Sequence, residues 1–483
     1  MVHYALNYLY KSFPLIWNMN LEVISLVPTD ITISMELLRY MKKEKLSISS
    51  FANKSGINSG TLSRFINGQQ PLSLSNLDLI TRAMNLEEGY FYSLYVNESS
   101  PNWRRLGPFI MRCAELGKLD CIVQAIDMMM DNLAYSALLF DSAEELYQKG
   151  KRAAALTIYK KVAEGEKYQH SERLGLCQYR IFTCSLDSDQ ENNLDCAIQF
   201  ESYIQRVPDK VQLDALKDLT NTLLSLRKWN KAKTYALEMG RIARMLYAQK
   251  HDQNKPNRKH TQPAKPLFGY ILYSDLLLGS IAADNDDYDQ ALYYLSRYED
   301  QSWIVETDEM AEKTKDQFRE WAKGNRYLYQ LMKGNTDVLE PYVEYISSHK
   351  NEILRALFKI IQAAKIHHFE IDTYLERFEG LIREHLHRGG TVGSYAGHII
   401  DDRFANFLTD IGEYYLRRNN TLKGIQYILD GLEISYRINN PVNIARCCTT
   451  IEHTRSKLSH SALQRYVLIR SEGDARSRKI NIS

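Results

Sequence analysis

The stretch Leu46-Ser47-Ile48-Ser49-Ser50-Phe51-Ala52-Asn53-Lys54-Ser55-Gly56-Ile57-Asn58-Ser59-Gly60-Thr61-Leu62-Ser63-Arg64-Phe65-Ile66-Asn67-Gly68 reads as two short helices and the turn between them. Ser47 is a residue type that caps a helix N-terminus, and Gly56 suits a left-handed stop at the other end. The next helix starts after Asn58 or Ser59 and carries Leu62, Phe65 and Ile66 before Gly68. Ala52 is small where two helices cross closely, while Ile57 and Leu62 anchor the second helix to a core. What remains on that helix (Ser59, Gly60, Thr61, Ser63, Arg64, Asn67) is polar or lacks a side chain. A short exposed helix bearing hydroxyls, an amide and an arginine can enter a DNA major groove.

Working outward, three more short helices flank the pair. One covers Met35 to Lys45 with Leu37, Leu38 and Met41 at helical spacing; one follows Ser73 or Ser75 with Leu77, Leu79, Ile80 and Met84; one covers Glu88 to Val96. With them, the Ala52, Gly56, Ile57, Leu62, Gly68 framework resembles the Cro/C1-type helix-turn-helix domain of bacterial and phage repressors. The resemblance implies that Ser59, Thr61 and Arg64 face bases or backbone of double-stranded DNA, and that Ser47, Ser49 and Asn67 approach phosphates. Ser63, on the same polar helix, is grouped with them. The sequence departs from the family at Ile48, often glutamine, at Ile66, often glutamate, and at Leu72, usually proline, with Pro71 one residue early. Residues 31–90 hold seven basic and five acidic side chains, so such a head needs dimerisation to gather an adequate phosphate footprint.

The rest of the chain is bounded by its composition. With 483 residues it is too long for one ordinary core, which leaves several domains or an extended repeat array. Hydrophobic residues make up 44% and charged residues 25%, a globular composition. Gly 23 and Pro 11 leave few turn formers, which disfavours a many-stranded sandwich or barrel and favours helices. A net charge of +2 steers nothing strongly, so any nucleic-acid footprint must be local. Seven scattered cysteines with no CxxC read as reduced thiols packed as small apolar residues.

After Trp103 the pattern becomes paired helices with a recurring small-residue signature. Gly150, Ala155, Tyr159 and Val162 give one instance, and Trp229, Ala232, Ala236 and Met239 another. Leu278-Gly279, Ala282, Tyr288, Ala291 and Leu295 give the fullest; Ile411-Gly412, Tyr415, Gly424 and Ile428 a further one; Ala197 a weaker one. Ala197 and Ala232 stand 35 residues apart, whereas Ala232 and Ala291 stand 59 apart. The excess is assigned to Lys250–Pro266, which holds Pro256, Pro263 and Pro266. A helix pair cannot bury its apolar face alone, so such units stack on their neighbours.

This region resembles a tetratricopeptide array over about residues 140–460, with irregular members between 300 and 400. A Cro/C1-type head on such an array is similar to the peptide-pheromone receptor transcription factors of Gram-positive bacteria. That resemblance implies a homodimer in the cytoplasm, and quorum sensing in which a short signalling peptide binds a concave groove. On the repeat frame, Asp214, Lys217, Asn221, Tyr273, Asn406 and Glu413 are first-helix positions facing that groove. An asparagine amide both donates to and accepts from an extended peptide backbone. An adaptor or receptor acting on a regulatory enzyme or response regulator by direct contact remains the alternative.

The expected fold class is therefore all-α: an N-terminal helix-turn-helix bundle followed by a tetratricopeptide-like α-solenoid. Its expected divisions are an extension at 1–32, the head at 33–98, connecting helices at 99–139, repeats at 140–460 and a tail at 461–483. No catalytic residue, cofactor or metal is expected. His367-His368 and His385-x-His387 lack the i, i+4 spacing with a glutamate of a helical zinc site. Gly389-Gly390-Thr391-Val392-Gly393 follows a helix and lacks the lysine of a phosphate loop. Basic loop 250–266 reads as a connector. The apolar first 34 residues hold no uncharged run long enough to span a bilayer, so no membrane partner is expected. They read either as a short pre-helix or as an over-extended start; a start at Met35 would make residues 1–34 dispensable for stability.

Overall fold

Apolar residues at helical spacing, caps at their ends and few turn formers give helices throughout, and among the described residues there is no strand. The computed structural model describes residues 31–480, apart from 131, 133, 170, 188, 253–262, 350–351 and 389–394. The side chains of 387–388, 395–402 and 473–480 are likewise not described. Two compact units are present, Met1–Cys184 and Ser185–Ser483.

The first unit begins with α1 (Ile33–Lys43), α2 (Ile48–Ser55), α3 (Ser59–Ile66), α4 (Leu74–Ala83) and α5 (Tyr92–Asn97). It continues through α6 (Trp103–Leu116), α7 (Leu119–Asp127), α8 (Ala134–Gln148), α9 (Arg152–Gly165) and α10 (Glu172–Ser185). Helix α1 opens two residues before Met35. Thr32 caps it by accepting from the Met35 N–H at 3.2 Å, and the buried Ile33 donates its N–H to Glu98 Oε1 at 2.7 Å. Residues 33 and 34 thus pack into the bundle, and a start at Met35 would forgo these contacts; residues 1–30 lie outside the described residues. Helix α5 starts at Tyr92 instead of Glu88, because Gly89 adopts a left-handed φ of 78° that ends any earlier helical run.

Phe51, Leu62, Leu77, Ile80, Phe91 and Val96 fill the core of the five-helix head. That core extends onto α6, where Phe109 packs on Tyr92 and Tyr95 with ring centroids 5.1 and 5.2 Å apart. Arg112 of α6 faces Asp78 of α4 at 3.6 Å and Glu88 at 3.3 Å, while Tyr92 donates to Asp78 at 2.9 Å. The head is therefore fastened to the helices that follow it, not hung on a loose linker.

The second unit comprises α11 (Gln190–Glu201), α12 (Asp209–Ser225), α13 (Trp229–Lys250), α14 (Leu267–Asp284), α15 (Tyr288–Glu299) and α16 (Glu309–Met332). Next come α17 (Leu339–Ser347), α18 (Ile353–His367), α19 (Asp372–Arg377), α20 (Glu379–Arg388), α21 (Tyr395–Arg417), α22 (Thr421–Arg437), α23 (Pro441–His453) and α24 (His460–Ile480). Consecutive helices pack on one another, a helical repeat-like region in which the small residues sit at the crossings. A Cβ on Gly240 would stand 2.4 Å from Ser274 Oγ, and Ser274 donates to the Ala236 carbonyl at 2.7 Å, joining α13 to α14. Helix α13 ends at Lys250 and α14 opens at Leu267, the bounds of the segment to which the excess over the period is assigned; its residues 253–262 lie outside the described residues. One described helix, α14, is long and apolar enough to cross a membrane by length and composition, and 67% of its apolar window is buried inside the protein.

Candidate functional site

The helix-turn-helix pair is built by local capping. Ser47 Oγ accepts from the Ser50 N–H at 3.1 Å, and Gly56 closes α2 with a left-handed φ of 73°. Asn58 Oδ1 accepts from Gly60 and Thr61 at 2.9 and 3.3 Å, which starts α3 without a residue to spare. Ala52 and Ile57 are buried at the crossing, and Leu62 and Phe65 fix one face of α3 to the core.

The opposite face of α3 is open. Ser59, Arg64 and Asn67 are exposed, Thr61 and Ser63 are half-buried, and Ser47 and Ser49 are exposed at the start of α2. Arg64 Nε rests on the Gly60 carbonyl at 3.3 Å, and Asn67 on Ser63 Oγ at 3.4 Å; both contacts are long and can be exchanged for bonds to DNA. Leu72, where the family usually has proline, is buried and serves the core. Ile48 and Ile66 are half-buried and contribute packing where an amide or carboxylate would contribute hydrogen bonds. Lys54 donates to Tyr40 at 2.8 Å at the rim of the head, a pairing that the linear spacing of the two residues did not disclose.

The second unit holds a concave cavity of about 1330 Å³. The α12–α13 turn, the end of α14, α16, α17, α18 and α21 all contribute to its wall. Trp321, Tyr345, Phe358 and Phe407 give it aromatic surface, and Gln317, Asn325, Gln362 and Asn406 supply amides. Tyr345 is stacked on His349 with centroids 4.4 Å apart, and Phe358 meets Phe407 at 4.5 Å.

Of the groove positions read from the repeat frame, Asn406 lines this cavity. Glu413 lies two turns further along the same row of α21, past the cavity-lining Asp410. There Lys365 Nζ reaches Asp410 at 2.5 Å and Glu413 at 2.9 Å, and Arg446 reaches them at 2.6 and 2.7 Å. Burial opposes the Glu413 charge, but Arg446 and Lys365 outweigh it and hold the carboxyl below its ordinary range. Lys217 and Asn221 precede the cavity-lining Ser225 by two turns and one turn on α12, so they continue its row outward. Lys217 pairs with Asp218 at 3.2 Å and Asp214 at 3.6 Å, and Asn221 Oδ1 accepts from Tyr273 at 2.8 Å. Asp214 itself is buried and accepts from Tyr270 at 2.6 Å, a structural bond.

The repeat frame missed Arg227, Lys359 and Arg403, which reach the cavity from a turn and from two helices far apart in sequence. Only Arg227 had a local signal: a bulky cation in a turn where glycine or asparagine is usual. Of the histidines, His367 bonds the Met332 carbonyl at 2.8 Å, His368 is the left-handed cap of α18, and His385 packs on Phe404. Among the described residues no three His, Cys, Asp or Glu side chains are grouped to hold a metal. The glycine-rich run 389–393 lies outside the described residues, as does most of loop 250–266.

Residues 37–91 match the family model described as Helix-turn-helix. No curated protein matches the chain. The match covers the bundle whose caps and open α3 face are described above, and so the chain carries a Cro/C1-type helix-turn-helix, the DNA-binding module of transcription regulators.

Proposed function

We propose that the protein is a cytoplasmic, homodimeric transcription regulator whose second unit binds a short signalling peptide and thereby changes affinity for DNA. In this reading residues 33–98 are the head, 99–139 connect it, 140–460 are tetratricopeptide-like repeats and 461–483 a tail. The DNA side rests on the open α3 face, with Ser59, Thr61, Ser63 and Arg64 toward the groove and Ser47, Ser49 and Asn67 toward phosphates. A dimer supplies two such faces, so half-site centres lie about one helical turn, roughly 34 Å, or a multiple of it apart.

The observation that carries the peptide side is the cavity. Its volume suits a short peptide, its aromatic wall suits apolar side chains, and its amides can satisfy a peptide backbone that loses water on binding. Asn406 acts inside it, and Lys217, Asn221, Tyr273 and Glu413 act along the helix rows that lead out of it. Isothermal calorimetry with peptides encoded in DNA neighbouring the gene, with and without operator duplex, tests the coupling. Whatever factor the peptide imposes on DNA affinity, DNA must impose on peptide affinity. Equal peptide affinity in both titrations would refute the switch.

A further inference from the structure

Cations in the second unit are mostly answered by carboxylates. Arg244 and Arg297 close on Asp275, Arg383 and Arg465 on Asp430, and Arg446 on Glu413. Three cavity cations differ: among the described residues Arg227, Lys359 and Arg403 make no ion pair or hydrogen bond through their side chains. They come from the α12–α13 turn, from α18 and from α21, and all three act electrostatically on one carboxylate, Asp284 at the end of α14. Surrounding protein pushes the Asp284 carboxyl up, and the three cations pull against that. Of the other cavity carboxylates, Asp410 is engaged by Lys365 and Arg446 and Glu352 by Arg355, while Glu320 makes no ion pair among the described residues and is not among the charges acting on Asp284.

Arg227 carries a second sign. It has a left-handed φ of 55°. The turns before α7, α9, α15, α22 and α23 place a left-handed residue at the same position, two before the helix, and fill it with Gly117, Gly150, Asp286, Asn419 and Asn439. Those residue types enter that region easily, whereas a long side chain does so at a cost. Turn formation does not call for arginine here; its guanidinium in the cavity is what the position gains.

We propose that Arg227, Lys359 and Arg403 form a carboxylate seat, so that the peptide bound in this cavity presents an acidic side chain or its C-terminus there. Guanidinium and carboxylate match in geometry as well as in charge. Phe358 and Phe407 belong to the same helices as Lys359 and Arg403, so the residue beside that carboxylate is bulky and apolar. The inference rests on the peptide reading given above.

The test is affinity selection on the full chain, read by mass spectrometry. Three pools of short random synthetic peptides are used: free C-terminus, C-terminal amide, and C-terminal amide lacking Asp and Glu. The expected result is about tenfold stronger recovery from a carboxylate-bearing pool than from the third, the first two pools showing which carboxylate is read. That preference disappears in the Arg227→Asn/Arg403→Gln variant, in which asparagine suits the left-handed turn. Lys359→Gln is a second variant should the first lose its thermal transition. Equal recovery from all pools, or an unchanged preference in a folded variant, overturns the seat and leaves the peptide reading standing. No recovery from any pool overturns both.

Discussion

Gly412 and Gly424 face one another where α21 crosses α22, and this crossing makes a prediction with a sign. A Cβ on Gly412 would lie 2.8 Å from the Gly424 carbonyl oxygen and 2.6 Å from Ile428 Cγ1 and Cδ1. The Ile428 tip can turn away, but the Gly424 oxygen belongs to a helix backbone and cannot. Overpacking of this kind costs about 1–3 kcal/mol, while alanine regains up to about 1 kcal/mol of helix propensity over glycine. Gly412→Ala should therefore destabilise the second unit by about 1–2 kcal/mol, lowering its transition by a few degrees. Gly380 in α20 provides the opposite case, because a Cβ there meets nothing within 4 Å. Gly380→Ala should stabilise by about 0.4–1 kcal/mol through the unfolded chain alone. Differential scanning calorimetry of the two full-length variants is the assay. A Gly412→Ala transition at or above that of the parent would refute the close crossing, and with it the packing that holds Asn406 and Asp410 in the cavity wall.

Arg64→Ala should weaken DNA binding by about 1–3 kcal/mol if the side chain reaches a guanine edge, measured by fluorescence anisotropy on sites found by genomic footprinting. Asn58→Ala removes the acceptor for Gly60 and Thr61 and should cost about 1 kcal/mol of stability, seen in the calorimetric transition of the first unit. A chain beginning at Met35 loses the Thr32 cap and buried Ile33, so it should be about 2–4 kcal/mol less stable than one beginning at residue 31, by chemical denaturation. Burial works against the Glu306 charge, but Lys250 and Tyr247 outweigh it and hold the carboxyl at about 2. Its stabilisation is thus complete above the ordinary glutamate range and fades as pH falls toward 2. Glu306→Gln should cost on the order of 1–2 kcal/mol at neutral pH, after allowance for solvent screening, and its difference from the parent should shrink in melts at pH 3.

Whatever depends on neighbours along the chain was legible in the residues alone. Ser47, Gly56, Asn58, Gly68 and Ser73 bound the helices of the head because capping and left-handed turns involve only a few consecutive residues. The small residues of the repeats were legible for a similar reason, since Gly279, Ala282 and Ala291 recur at helical spacing. A boundary that depends on backbone conformation was not: Gly89 delays α5 to Tyr92. The place of the cavity follows from helix packing, which no local pattern shows. Arg227, Asp284, Lys359 and Arg403 are separated by dozens of residues and become neighbours because helix stacking brings a turn, a helix end and two helix faces to one place. The same packing also decided which groove positions are already engaged, since Asn221 with Tyr273, and Glu413 with Lys365 and Arg446, pair across different helices. No local pattern encodes such pairings; they follow from the packing of apolar faces that the charged side chains do not control.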